Sequence, residues 1–230
     1  MAAVDPDPAA RPVNATPPRI ATLVLRIGLW LVPCFAAWYL TARFHGIAAG
    51  EAAHALMAIL KPGLVSALER QGSDLVFVTT LLVHPAPGET GVLVTEVNPL
   101  LYTYGLPLFV ALMLATRASG WRIAAGAALL VPFQAWGIAF DFLAQVGIRA
   151  GPAVSVQAGL AGWPSEAIAL AYQAGSLLFP ALVPVFLWGA FNRPLIARLA
   201  GSHAEGAGYA SEQTAPAIAP TLAPSPRSQQ

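Results

Sequence analysis

Apolar positions cluster into four long stretches along this chain. The first covers 20–42, where Ile27 to Ala42 is almost unbroken and Ile20 to Leu25 extends it back past Arg26. The second is 100–116, the third 123–143 and the fourth 167–191. A helix needs about 20 apolar residues to cross a hydrocarbon core about 30 Å thick, so the first, third and fourth are long enough and the second is near the short limit. The pattern predicts a bundle of four membrane-spanning helices.

Between the first and second stretches the periodicity changes. From Gly46 to Leu60 the chain is rich in Ala, with Glu51, His54 and Lys61 spaced to share one helical stripe, which predicts an amphipathic helix against the bundle or the membrane surface. Pro62 and Gly63 end it, and Leu64 to Arg70 is expected to add a short turn or helix. Leu75 to Val83 and Val92 to Val97, rich in Val, Thr and Phe, flank the turn-forming residues 85–89 and predict a β-hairpin. Two strands alone are marginal in water, so the hairpin must lean on the helix, the membrane surface or a partner, and its strand edge is a candidate docking surface.

Composition agrees with this reading. Of 230 residues, 57% are hydrophobic and only 10% charged, too few charges to solvate a water-soluble domain of this size. The net charge of +1 is spread along the chain and gives no nucleic-acid footprint. Residues 1–18 and 201–230, rich in Ala, Pro, Gly and Ser, are expected to be disordered tails flanking an integral membrane domain over 19–200.

Charge sets the expected orientation. Arg11, Arg19, Arg117, Arg122, Arg193 and Arg198 all fall on one side of a four-span layout, which the positive-inside rule makes cytoplasmic. The opposite side, 43–99 and 145–166, mixes its cations with Glu51, Glu69, Asp74, Glu89, Glu96 and Glu166. This layout predicts a bacterial inner-membrane protein with both termini in the cytoplasm and the 43–99 loop exported. The length of the first apolar run, with Trp30, Trp38 and Tyr39, favours a retained helix over a cleaved signal peptide.

Candidate chemistry is sparse. Gln134, Asp141 and Gln145 lie seven and four apart on one face of the third stretch, and Glu166 and Gln173 repeat the spacing in the fourth, beside Tyr172 and Ser176. Such intramembrane polar groups either fix helix register or form a polar cleft near the exported side. Cys34, the single cysteine, lies mid-span and away from His45, His54 and His84, which argues against a Cys-His dyad and leaves a membrane-embedded thiol enzyme using Cys34 as an alternative. His45, Glu51 and His54 match no strong metal-ligand spacing, and no cofactor is expected. Pro107, Pro132, Pro180 and Pro184 interrupt the spans, leaving a small transporter or binding subunit as an alternative.

Four strings, LVPCFAAWY, EVNPLLYTYGLPLFVALMLA (Glu96 to Ala115), LLVPFQAWGIAFDFL (Leu129 to Leu143) and EAIALAYQ (Glu166 to Gln173), resemble the exosortase H-associated membrane protein family from about Leu25 to Asn192. The resemblance implies a non-enzymatic accessory to an exosortase, a membrane enzyme that processes exported proteins bearing a C-terminal sorting helix. Exosortases use a Cys, Arg and His set at the exported face, which this chain does not reproduce around Cys34. The family supplies no catalytic motif, so the site expectations are positional. Asn98, Pro99, Tyr102, Tyr104 and Gly105, where the hairpin enters the second span, join Gln134, Trp136, Asp141 and Gln173 as expected contacts for the exosortase or its substrate's sorting helix.

Overall fold

The computed structural model describes residues 20–84 and 88–197. The expected tails 1–18 and 201–230, and Pro85 to Pro87 of the predicted turn, lie outside the described residues.

The chain is mostly helical. Helix α1 (Ile20–Leu40) is a 21-residue apolar rod, and after Thr41 the chain turns into α2 (Ala42–Leu60). Three strands follow: β1 (Val65–Gln71), β2 (Asp74–Val83) and β3 (Gly91–Val97). The chain then returns to helix with α3 (Leu100–Thr103), α4 (Gly105–Ala115) and α5 (Gly120–Ala144), which runs on into a π turn at Gln145–Arg149. A short helix α6 (Pro152–Gln157) precedes α7 (Ser165–Gln173), a second π turn at Ala174–Leu178, and α8 (Phe179–Phe191).

Three of these helical runs are long and apolar enough to cross a membrane: Ile20–Leu40, Gly120–Arg149 and Ser165–Phe191. The second predicted span differs from expectation. It is split at Tyr104 into a 4-residue and an 11-residue helix, so α4 alone rises about 16 Å, roughly half the hydrocarbon thickness. Pro107 in the first turn of α4, together with Gly105, accounts for a helix starting afresh there.

The sheet is antiparallel in the order β1-β2-β3. The predicted hairpin is present as β2 and β3, with Phe77 opposite Thr95 and Val78 opposite Val94. The segment expected to form a turn or helix is strand β1, which pairs Leu68 with Phe77 and Gln71 with Asp74. Its tight return needs a residue with positive φ, and Gly72 supplies it at φ 65°. A bulge interrupts β2 between Val78 and Leu82. There the Thr79 hydroxyl donates to the Leu93 carbonyl at 2.7 Å and accepts from the Leu81 N–H at 3.1 Å, filling the gap in the ladder.

Two buried clusters hold the structure together. The larger joins α2 (Ala49, Ala53, Met57), the inner sheet face (Leu75, Phe77, Leu81), Tyr102, and α5 from Ala135 to Ala144. Thus α2 is a core element whose Ala-rich face packs inward, while Glu51 on its outer side is exposed. The smaller cluster packs Phe109 and Met113 of α4 on Leu130 of α5, with Val183, Leu187 and Trp188 of α8 around them.

Candidate functional site

The residues that open the second apolar stretch sit where sheet, α2 and α5 converge. Asn98 is exposed, and its side-chain oxygen accepts the Leu100 N–H at 2.9 Å, satisfying a donor that the first turn of α3 would otherwise leave free. Pro99 is buried over Gly46, whose added Cβ would lie 3.3 Å from the proline ring. That close contact seats the start of α3 on α2.

One turn on, Tyr102 is buried with 1% exposure. Its ring lies over Gly137 of α5, where a Cβ would come within 2.3 Å of it. Its hydroxyl meets no partner at good hydrogen-bond geometry, although the Asp141 carboxylate faces it. Tyr104 is half-buried, and Gly105 packs so closely on α8 that a Cβ would stand 2.6 Å from the Pro180 carbonyl oxygen. Gln134 is buried beside Tyr102 and Gly105, lining a cavity of about 10 Å³, near the size of a single water.

Asp141 is also buried, at 7% exposure. Its charge is answered by Arg149, whose guanidinium lies 3.7 Å away and 5.6 Å from the Tyr172 ring centre. The π turn explains this pairing. Eight residues of α-helix turn through 800°, leaving Asp141 and Arg149 about 80° apart around the axis, whereas a π turn absorbs about one residue of rotation and brings them nearly into line. Arg149 and Tyr172 therefore join the site, and Arg149 is a member that sequence spacing missed.

The remaining expected residues divide by exposure. Trp136 is partly exposed, stacks on Phe140 at 4.5 Å, and donates its indole N–H to the Ala171 carbonyl at 3.1 Å. Gln145 donates to the Glu96 carbonyl at 2.9 Å, tying the first π turn to β3. Gln173 and Glu166 are exposed, while their helical run meets α5 through Ala171, Tyr172 and Gly175. Cys34, at 9% exposure, faces α4 among Pro33, Trp38, Leu106 and Pro107, none of which offers a general base.

At the junction of α1 and α2, the Trp38 indole N–H donates to the Thr103 hydroxyl at 3.2 Å. His45 stacks on Trp38 with centroids 5.8 Å apart, and its Nε2–H donates to the Trp38 carbonyl at 3.0 Å. Burial pushes the imidazole below its ordinary value of 6.5, and the bond to the carbonyl opposes this in part.

Apolar helices of membrane-crossing length, a small antiparallel sheet against one part of the bundle and, beside it, a buried Tyr102 and Asp141 faced by the exposed Arg149 define a helical membrane protein with a sheet cap. The chain belongs to the exosortase H-associated membrane protein family, whose match covers residues 17–195. No curated protein and no solved structure matches it.

Proposed function

We propose that this protein is a non-enzymatic accessory subunit of an exosortase H sorting system, embedded in the bacterial inner membrane with both termini cytoplasmic. The observation that carries the reading is the family match across 17–195, which takes in every described helix and strand apart from the last residues. Four crossings follow if α3 and α4 together complete a short second span, and the arginines at 117, 122 and 193 then share the cytoplasmic side. In that layout the sheet and the Tyr102, Asp141 and Arg149 cluster face the exported side, where an exosortase acts.

Within the proposed contact set, exposure supports a division into two roles. Asn98, Trp136, Gln173 and the half-buried Tyr104 are open to a partner such as the exosortase or its substrate's sorting helix. Pro99, Tyr102, Gly105, Gln134 and Asp141 are buried and position the exposed ones. The lining of Cys34 disfavours a thiol enzyme.

The test is affinity purification of the tagged protein from native membranes with immunodetection of exosortase H. Co-purification is expected, and the combined Asn98→Ala, Trp136→Ala and Gln173→Ala replacement is expected to weaken it and to impair sorting while the protein stays in the membrane. Intact complex and sorting in that variant would remove the proposed contact face, and absence of exosortase from the wild-type eluate would remove the accessory role.

A further inference from the structure

Helices α1 and α4 touch along one side and leave a groove on the other. Trp38, near the end of α1, bonds to Thr103 just before α4, so the helices run in opposite directions and the start of α1 lies beside the end of α4. The groove between them is lined by Trp30, Cys34 and Trp38 on one wall and Leu106, Val110 and Leu114 on the other, with a volume of about 420 Å³. Its α1 wall runs from Trp30 to Thr41, a rise of about 16 Å, which is half of a hydrocarbon core about 30 Å thick. The groove is apolar over about the depth of one leaflet.

Its two ends differ in charge. At the end formed by the start of α1 and the close of α4 stand Arg26, one turn before Trp30 on the same helical face, and Arg117, three residues after Leu114. Neither is in an ion pair among the described residues. Arg117 also holds an unusual backbone. The Ala118 N–H bonds to the Met113 carbonyl at 2.9 Å and the Arg117 N–H to the Leu114 carbonyl at 3.0 Å, closing α4 with a Schellman turn. That turn puts Arg117 at φ 55°, the left-handed position that glycine ordinarily fills. Arg117 is thus kept at the close of α4, three residues past the groove lining, at a cost in backbone strain.

We propose that the α1–α4 groove binds one acyl chain of an anionic phospholipid, with the phosphate held by Arg26 and Arg117. The apolar walls take the chain, the groove length matches one leaflet, and the two cations, unpaired among the described residues, match the headgroup charge. This rests on α1 and α4 lying in the membrane and is independent of any exosortase contact.

The experiment uses the full chain purified in detergent, with phosphatidylglycerol and phosphatidylcholine added in equal amounts and retained lipid read by native mass spectrometry. Two cations near a headgroup predict a preference for phosphatidylglycerol of about 30-fold. Arg26→Gln with Arg117→Gly is expected to abolish that preference, and because glycine relieves the strained position, the variant should fold as well as the wild type. Ala37→Phe, which fills the groove wall, is expected to lower retention of both lipids. Equal retention of the two lipids by the wild type, or a preference surviving the double replacement, overturns the proposal. Retention unaffected by Ala37→Phe overturns the acyl site. Since no exosortase is present, either failure leaves the accessory role standing, and resistance of the protein to carbonate extraction checks membrane embedding separately.

Discussion

Gly137 of α5 and Gly175 of the second π turn meet backbone to backbone: a Cβ on Gly175 would stand 2.6 Å from the Gly137 Cα, and one on Gly137 would stand 3.0 Å from the Gly175 carbonyl oxygen. Close approach through small residues is how membrane helices gain packing where lipid gives no hydrophobic drive between them. Here it also sets the Tyr102 ring over α5.

Gly175→Ala is expected to destabilise the protein by about 1–3 kcal/mol, because the obstructing atoms are backbone and cannot rotate aside. Gly137→Ala meets the Tyr102 ring as well and is expected to cost at least as much. Unfolding of the purified protein by denaturing detergent, followed by circular dichroism, measures both.

Gly126 presents the complementary case. A Cβ there would lie 2.0 Å from the Phe109 ring, so Gly126→Ala is expected to destabilise the smaller cluster by about 1–3 kcal/mol. Phe109→Leu in the same chain removes the obstructing ring edge and is expected to recover part of that loss. A double-mutant cycle on unfolding free energies gives the coupling, and strictly additive losses would count against the contact.

Arg149 answers a buried carboxylate. Its side chain is more than half exposed and the contact is long, so Arg149→Ala is expected to cost only about 1 kcal/mol, most of it from leaving Asp141 without a counter-charge. Asp141→Asn added to Arg149→Ala removes that charge and is expected to restore most of the stability. Equal stability of the two variants would mean that the uncompensated Asp141 charge costs nothing.

His45 carries a pH dependence whose sign follows from its environment. Burial lowers its folded-state value below the ordinary 6.5, so the unfolded chain binds the proton more readily. Stability from this group is complete above about pH 6.5 and is lost as pH falls below it. His45→Phe keeps a ring stacked on Trp38 and is expected to flatten this part of the profile in thermal unfolding measured between about pH 5 and 8.

Much of this architecture is legible in the amino acids. Long apolar runs mark α1, α5 and the α7 to α8 run because membrane-crossing length and composition are strong constraints, and the β-branched stretches mark β2 and β3. Strand β1 is not legible, since Ala67, Leu68, Glu69 and Arg70 are all good helix formers and only pairing with β2 makes them a strand. Helix α6 shows only as Gly151 followed by Pro152, a helix-start signal within an otherwise irregular connection. At the site, the seven-residue spacing finds Gln134 and Asp141, but Arg149 escapes because nothing in Gln145 to Arg149 announces a π turn.

The two buried clusters have a single shared member, α5, which gives Leu130 to one and Ala135 to Ala144 to the other. That helix acts as an axle between the sheet and the helices α4 and α8. A torque applied to the cap by anything gripping it passes down α5 and down the α7 to α8 run, which brings Ile168 to the larger cluster and Val183 to the smaller, so grip at the sheet and packing at the far end belong to one mechanical unit.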